Sequence, residues 1–536
     1  VSSWTYDAAG RPVSLSNEGH RGGAGYASAF HHDAVGRETG RRMDNGLALE
    51  RTWDPAGRLT GMSLTAPDAT PVDRRSYAYR ADHHLLSLTE PDGTTEFTVD
   101  PGGRVTRLAA PARSESYAYA SSGDQLTAEW PRSNTPPTGA TGANGATGAT
   151  GERAYEGRLV TGAGRLRYAY DAAGRTVLRQ KSRLSKKPDT WRYTWDAEDR
   201  LTSVTTPDGT RWRYEYDPFG RRSAKRRLGA DGTTVVESVE FTWQDATLVE
   251  QTTTGAGSGR DGTLTWDYNG LHPLTQIESG GGGDAQAEFD RRFYAIVTDL
   301  VGTPTRLVDE AGQTAWRADA TLWGVPLPGQ GGTTQTPLRF PGQYADEETG
   351  WHYNHHRHYD PATGRYTTSD PLGLAPSPNS YGYAHNPHTW SDPLGLAAHP
   401  GSTPGFRRQT DHRLSQRMHV DADGNVTISG RQQLYVNLSG DMAHTVNFRD
   451  GVGEIVAFDV QNSFLDQVRR TAVPQQNPVM ENGETLFSAA EWREMKRHAP
   501  EISDPTMGDD LYGIPGSMLN EFQNAIIPGS GRIIAG

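Results

Sequence analysis

Along most of this chain the apolar positions are aromatic, alternate with polar ones, and come in short runs that stop at Asp or Gly. "WTYDAAGR", "FHHDAVGR", "RTWDPAGR", "FTVDPGGR", "YAYDAAGR", "YTWDAEDR" and "YEYDPFGR" share one pattern, with Asp in the Gly slot of the sixth. In Tyr-x-Tyr both rings fall on one face of a strand, because strand side chains alternate with period two. The Asp-x-x-Gly-Arg that follows predicts a turn, in which Asp accepts from the backbone two residues on and Gly takes a positive φ. A second alternating segment of the type "LTSVTTPDGT" then runs to a Pro-Asp-Gly turn. Each unit reads as a β-hairpin that needs a neighbour to cover its aromatic face, so the units are expected to stack into one sheet. The repeated Asp and Arg are expected to form turns and to link neighbouring units rather than to catalyse.

With the residue before the Asp slot as a marker, the units stand at Tyr6, His32, Trp53, Tyr79, Val99, Tyr119, Tyr170, Trp195, Tyr216, Trp243 and Trp266. Successive markers lie 20 to 27 residues apart, with one interval of 51, the period of an array. The long interval holds "PPTGATGANGATGATGE". Its triplets lack the prolines of a collagen helix, so residues 136–152 are expected to form a flexible insertion.

Composition supports a turn-rich β protein. Of 536 residues, 62 are Gly and 33 Pro, while hydrophobic residues make up 34%, too few for a deep aliphatic core. There is no cysteine, which removes disulfides and thiolate metal sites together. A net charge of -12 argues against a general nucleic-acid-binding surface. No apolar run is long enough to span a membrane as a helix. The chain opens at Val1 inside a repeat already under way and reads as the C-terminal piece of something longer, in which a signal peptide is unreadable.

The repeats resemble the YD repeats of Rhs proteins, the bacterial polymorphic toxins, also found in toxin-complex C components and teneurins. "VTDLVGTPTRLVDEAGQTAWRADATLWG" (297–324) and "LRFPGQYADEETGWHYNHHRHYDPATGRYTTSDPLGL" (338–374) look like the Rhs-associated core. The resemblance covers roughly residues 1–396 and implies a mainly β fold: a YD-repeat β-sheet spiral closing into a hollow shell over 1–336, a core segment over 337–396, and a small α+β toxin domain, 397–536, held inside. The family's "YRYYDP" reads "HHRHYDP" here, with His355, His356 and His358. No carboxylate stands at ligand spacing from them, so no metal site is expected.

The pentapeptide "DPLGL" occurs twice, at Asp370 and at Asp392. Taken alone it reads as two similar turns. In Rhs and toxin-complex C proteins the pair resembles an aspartic-protease dyad, in which one carboxyl keeps a proton and the other activates water. The resemblance places a self-inflicted cut between Leu396 and Ala397, and Arg365 is the candidate electrostatic partner of Asp370.

Beyond Leu396 the repeat pattern stops. "HPGSTPGFRR" reads as a linker; "VDADGNVTIS" as a hairpin; "QQLYVNL" and "GEIVAFDV" as strands; "SGDMAHTVNFRDG", "NSFLDQVRRTAVP", "SAAEWREMKRHAP" and "GSMLNEFQNAI" as helices, the third opened by a capping box from Ser488 to Glu491. The mixture predicts an α+β domain. Its 12 basic and 17 acidic residues leave no surplus for phosphate contacts, and it lacks the HExxH, P-loop and cysteine-nucleophile patterns. The domain resembles ADP-ribosyltransferases, in particular the TreTu-type Rhs toxins that modify elongation factor Tu. That resemblance implies NAD as cofactor, with Arg413 (or His412) binding it, Tyr435, Asn437 and Ser439 lining the nicotinamide pocket, and Glu521 (with Gln523 as the polar alternative) stabilising the ribosyl cation. It also implies secretion or injection into a target cell, a cognate immunity protein, and action in the target cytoplasm. An RNase in the same position, or a wall-associated adhesion protein without enzyme activity, are the other readings open to this sequence.

Overall fold

Asp, Arg and the marker aromatic of each repeat do the work that builds the fold. In the computed structural model the described residues are 2–7, 12–17, 26–33, 37–54, 58–80, 84–131, 148–255, 261–280, 292–327, 332–374, 377, 379–396, 402–409, 417–421, 426–430, 432–438, 445, 453–461, 468, 472–474, 488–502, 511–526 and 532–534. At Asp33, Asp54, Asp100, Asp171, Asp196 and Asp217 the carboxylate closes the turn. One oxygen accepts the backbone N–H four residues on, and the other accepts from Nε of the Arg there at 2.7–2.8 Å. The Gly slot takes the left-handed conformation, with φ +78° at Gly103, Gly174 and Gly220; Asp199, in the odd sixth unit, adopts φ +60° in the same place.

The marker aromatic then reaches back to the preceding unit. Tyr79 donates to the carbonyl of Leu59, Tyr119 to Val105, Tyr170 to Val160 and Tyr216 to Leu201, each at 2.8 Å. Trp53, Trp195 and Trp243 do the same through the indole N–H. In every one of these units the strand register shifts at the marker, a β-bulge that turns the ring toward its acceptor. The turn Arg reaches forward: Arg104 Nη1 donates to the carbonyl of Ala120 at 2.7 Å and Arg175 Nη1 to Asp196 at 2.6 Å. The Asp and Arg expected as turn formers and links between units are both.

Twenty-seven strands, from Ser2–Tyr6 to Thr314–Arg317, join in one sheet. From Tyr26–His32 onward each pairs antiparallel with the next along the chain. The sheet curls until its early and late strands meet. Tyr26 stacks on Phe293 with centroids 4.3 Å apart, Arg75 donates to Thr305 at 2.7 Å, and Arg306 pairs with Asp73 at 3.2 Å. The mainly β architecture expected from the repeats is therefore present, as a curved wall whose buried face carries the first Tyr of each pair: Tyr77, Tyr117, Tyr168, Tyr193 and Tyr214.

The chain divides into two units. The first comprises Val1–Ser3, Ser16–Asp33 and Arg37–Ala398, the second Trp4–Leu15, Ala34–Gly36 and His399–Gly536. In the first, a four-stranded sheet of Tyr344–Asp346, Trp351–Asn354, Arg357–Asp360 and Arg365–Tyr366 packs on the wall. Trp351 stacks on Tyr193 at 4.0 Å, and Tyr168 donates to Asp360 at 2.9 Å. Arg222 grips Asp346 through both carboxylate oxygens at 2.8 Å and donates to His358, while Lys225 joins Asp346 to Glu348. Burial opposes the charge on Asp346, but Arg222 and Lys225 outweigh it and hold its carboxyl below the usual range. Burial and then Arg222 push His358 down to about 3, so its ring is a neutral acceptor.

The second unit has a seven-stranded sheet in the order Val473–Pro474, Glu501–Ile502, Leu511–Ile514, Leu434–Asn437, Ser402–Gln409, Glu454–Gln461, Arg532–Ile534, antiparallel except for the first pair. Helix Ala489–His498 opens with the expected capping box, and helix Leu519–Ala525 lays Phe522 edge-on against Phe458. The hairpin is Met418–Val420 with Val426–Ile428.

Two expectations are corrected. The supposed linker contains Ser402–Gln409, a strand hydrogen-bonded between two others; its Pro and Gly read as breakers, yet partners on both sides override them. The end of the Gly-rich stretch is built into the wall, with Ala149 buried and Gly151 opening strand Gly151–Glu156. Gly164 makes room for it, since a Cβ there would lie 2.3 Å from the Thr150 carbonyl oxygen. Residues 136–147 of that stretch lie outside the described residues, as do the helices expected over "SGDMAHTVNFRDG" and "NSFLDQVRRTAVP" apart from Thr445, Val468 and the final Ala472–Pro474.

Asp346→Ala leaves Arg222 and Lys225 buried without their shared partner. It is expected to lower the unfolding free energy of the full chain by about 3–5 kcal/mol in urea titrations at pH 7.

Candidate functional site

The two copies of Asp-Pro-Leu-Gly-Leu fold alike at the Gly and differently at the Asp. Gly373 and Gly395 are left-handed, at φ +66° and +74°. In the first copy Asp370 Oδ1 accepts the Leu372 N–H at 2.8 Å and its carbonyl accepts the Gly373 N–H at 2.9 Å. In the second, Asp392 Oδ1 reaches to the N–H of Leu396, at 2.9 Å. Leu396 is the residue whose carbonyl the expected cut would use, and it is buried, whereas Leu374 in the first copy is 62% exposed. Close approach of the second loop depends on glycine. A Cβ on Gly395 would lie 2.6 Å from the Asn354 carbonyl oxygen, and one on Gly342 would lie 1.8 Å from that of Pro393.

Arg357, on the strand Arg357–Asp360, brings the two loops together. Its Nη2 lies 2.8 Å from Asp370 Oδ2 and 3.3 Å from Asp392 Oδ2. Nε donates to the Gly395 carbonyl and Nη1 to that of Ser380 at 3.2 Å. The guanidinium lies over the Tyr366 ring, 3.6 Å from its centroid, a stacking that suits Arg and not Lys. Tyr366 donates its hydroxyl to Asp392 Oδ2 at 2.8 Å and accepts from Asn354, which also donates to the Asp392 carbonyl at 2.7 Å.

These surroundings make the carboxyls unequal. Burial pushes Asp370 up to about 6 against the opposing pull of Arg357 and the Leu372 N–H, and the nearby Asp392 adds to the rise. Asp392 faces three donors: the Tyr366 hydroxyl, the Leu396 N–H and Arg357. One carboxyl raised to about 6 beside one that accepts from several donors is an arrangement general acid–base chemistry can use at mildly acidic pH.

Arg365 does not meet Asp370. It pairs with Asp124 at 3.0 Å, donates to the Arg158 carbonyl and lies over the Tyr155 and Tyr381 rings. Strand alternation explains the exchange. On the hairpin partner Arg357–Asp360, Arg357 points to the loops, and Arg365, opposite Asp360, points to the wall. A buried arginine inside "HHRHYDP" was the available signal, masked by its histidine neighbours. Of these, His358 serves Arg222 and His355 sits at a hairpin tip at φ +50°. Among the described residues no three His, Asp or Glu are grouped to hold a metal ion.

In the second unit, Tyr435 is 40% exposed and Asn437, buried, donates to Thr445 at 3.0 Å. Glu521 is exposed on helix Leu519–Ala525. Gln523 clamps the hairpin, accepting from the Ile428 N–H at 2.6 Å and donating to the Val426 carbonyl. Arg413, His412, Ser439 and Ala397 lie outside the described residues. No helix among the described residues is long and apolar enough to cross a membrane.

Parts of this curved wall of Asp-x-x-Gly-Arg hairpins match known family models. Residues 189–211 and 195–234 match the RHS Repeat model, and residues 293–327 match that of the RHS protein. The chain is similar to "Probable deoxyribonuclease RhsA" of Dickeya dadantii, 33% identical over 368 residues, which are 66% of this chain and 23% of that protein. It is also similar to the "Double-stranded DNA deaminase toxin A" of Burkholderia cenocepacia, 31% identical over 67% of this chain and 25% of that one. "Toxin protein Tse5" of Pseudomonas aeruginosa is 31% identical over 67% of this chain and 30% of its own. The chain thus spans about a quarter of the length of these curated relatives. The crystal structure titled TcdB2-TccC3-Cdc42 shares the fold, with a TM-score of 0.58 at 17% identity over 74% of this chain and 20% of that one.

Arg357→Met strands two buried carboxyls. The variant is expected to lose about 3–5 kcal/mol of stability at pH 7. It should lose less at pH 4, where the raised Asp370 carboxyl is neutral and needs no cation; urea unfolding at the two pH values measures the difference.

Proposed function

We propose that this chain belongs to an Rhs polymorphic toxin whose twin aspartates cut it after Leu396, parting the β wall from residues 397–536. The observation that carries the reading is the convergence of Asp370 and Asp392 on Arg357, with the Leu396 N–H tied to Asp392. In the proposed reaction Asp392 takes a proton from water as the water oxygen bonds to the Leu396 carbonyl carbon, and Asp370 gives its proton to the carbonyl oxygen. The tetrahedral adduct then collapses: Asp392 passes the proton it took from water to the nitrogen of Ala397, the bond from Leu396 to Ala397 breaks to release the amine, and a hydroxyl of the adduct returns a proton to Asp370 as the Leu396 carboxylic acid forms. Arg357 orients both carboxyls and the Gly395 carbonyl between them.

The freed unit, on this reading, transfers ADP-ribose from NAD to a translation component such as elongation factor Tu in the cytoplasm of a target cell, after secretion or injection, and the producing cell is protected by an immunity protein. Support comes from the resemblance of the sequence to such transferases, from the strand carrying Tyr435 and Asn437, and from the acidic balance of the domain. The relatives named as acting on DNA favour a second reading, in which the passenger attacks nucleic acid.

Asp370→Asn and Asp392→Asn are each expected to leave one 58.5 kDa chain where the unaltered chain yields two pieces, as read by intact-mass spectrometry. The cut should slow as pH rises through about 6, because Asp370 loses there the proton it must donate; a rate that climbs across that range opposes the assignment of Asp370 as the acid. For the passenger, purified 397–536 incubated with labelled NAD and a bacterial extract should label a protein and leave RNA and DNA intact; degraded nucleic acid would install the second reading.

A further inference from the structure

The segment between the two aspartates is sewn to turns of three different repeat units. Asn379, buried, donates to Asp124 Oδ1 at 2.8 Å. Tyr381 donates its hydroxyl to the carbonyl of Gly174, the glycine of the Asp171 turn, at 3.0 Å. Asn386, 2% exposed, donates to the carbonyl of Gly103, the glycine of the Asp100 turn, at 3.0 Å. Any side chain on Gly174 would meet the Tyr381 hydroxyl, since a Cβ there would lie 2.3 Å from it.

These three contacts bracket the residue that touches the dyad. Ser380 lies between Asn379 and Tyr381, and its carbonyl accepts both the Asp370 N–H at 2.8 Å and Arg357 Nη1 at 3.2 Å. The Tyr381 carbonyl accepts the N–H of Tyr366, whose hydroxyl serves Asp392. Asn386, for its part, receives the N–H groups of Thr389 and Trp390 on its carbonyl and that of His388 on its side chain, fixing the run into Asp392. Displacement of a wall turn is therefore passed through one or two peptide units to each aspartate.

We infer that Asn379, Tyr381 and Asn386 are positioning residues for the self-cut, and that the wall turns at Gly103, Asp124 and Gly174 act through them as a checkpoint: the aspartates reach cutting geometry only when these repeat units are folded and in register. This inference rests on the self-cleavage reading above. Misplacement of reacting groups by about 1 Å costs about a hundredfold in rate, whereas the loss of one neutral hydrogen bond changes stability only modestly. The two effects are separable.

The test follows fragment appearance after cell-free synthesis of the full chain, for the unaltered sequence and for Tyr381→Phe, Asn386→Ala and Asn379→Asp. Melting temperatures are taken for the same substitutions in an Asp392→Asn background, where every chain stays whole. Tyr381→Phe and Asn386→Ala are expected to slow the cut by about tenfold or more with nearly unchanged melting. Asn379→Asp replaces the amide donor to Asp124 with a second carboxylate, which breaks that contact, so its cut is expected to slow as well. Cutting at the unaltered rate in all three, or slowing that only tracks a fall in melting temperature, overturns the checkpoint. If the unaltered chain itself stays whole, it is the self-cleavage reading that fails.

Discussion

The hydrogen bond from seven of the marker aromatics to a carbonyl of the preceding unit turns a row of hairpins into a wall. A two-stranded hairpin with one aromatic face has no core of its own and is marginal in water. Tyr79, Tyr119, Tyr170 and Tyr216 supply both halves of the remedy: a ring that covers apolar surface and a hydroxyl that fixes where the next unit sits. Each such bond is modest, about 1 kcal/mol net, but in a stacked array each unit is stabilised by its neighbours, so small equal terms accumulate along the chain. The bulge at these seven markers adds twist at the same point in each of their units, and its repetition bends the sheet until Tyr26 reaches Phe293.

A curved sheet built this way has a polar problem on its buried side, because the strands paired with those of Tyr168 and Tyr214 carry Arg179, Arg222 and Lys225 inward beside the rings. The core segment answers with matched partners: Asp346 and Glu348 for Arg222 and Lys225, and the Thr349 carbonyl for Arg179. Replacing such pairs with hydrocarbon is often neutral or stabilising, whereas removing one partner is severe. Their effect is thus felt as specificity. In the observed register Arg222, Lys225 and Arg179 each meet an acceptor on the core segment, and the same segment carries Arg357 between the aspartates.

The repeats were legible because their chemistry is local. Asp, Gly and Arg within five residues define the turn, and period two defines which ring is buried; even Asp199 in a Gly slot takes the left-handed φ. Tertiary choices were not. Strand Ser402–Gln409 holds its place through partners far along the chain, beyond the reach of Pro and Gly preferences. Both aspartates could be singled out by their doubled motif, but the cation between them could not: Arg357 and Arg365 stand in similar aromatic surroundings, and only strand pairing decides that the first turns to Asp370 and the second to Asp124.

The doubled pentapeptide shows the same limit from the opposite side. Identical sequences give the same glycine conformation and different hydrogen bonding, so the difference comes from what surrounds them. After Gly373 the chain emerges at Leu374. In the second copy two successive peptide groups are held: the Leu394 carbonyl by the His356 N–H, and the next peptide on both edges, its Gly395 carbonyl by Arg357 and its Leu396 N–H by Asp392. Peptide hydrolysis needs a carbonyl presented in fixed orientation to both an acid and a base. The second copy thus holds its backbone on both edges up to Leu396, the presentation that the proposed cut requires of the residue before the bond.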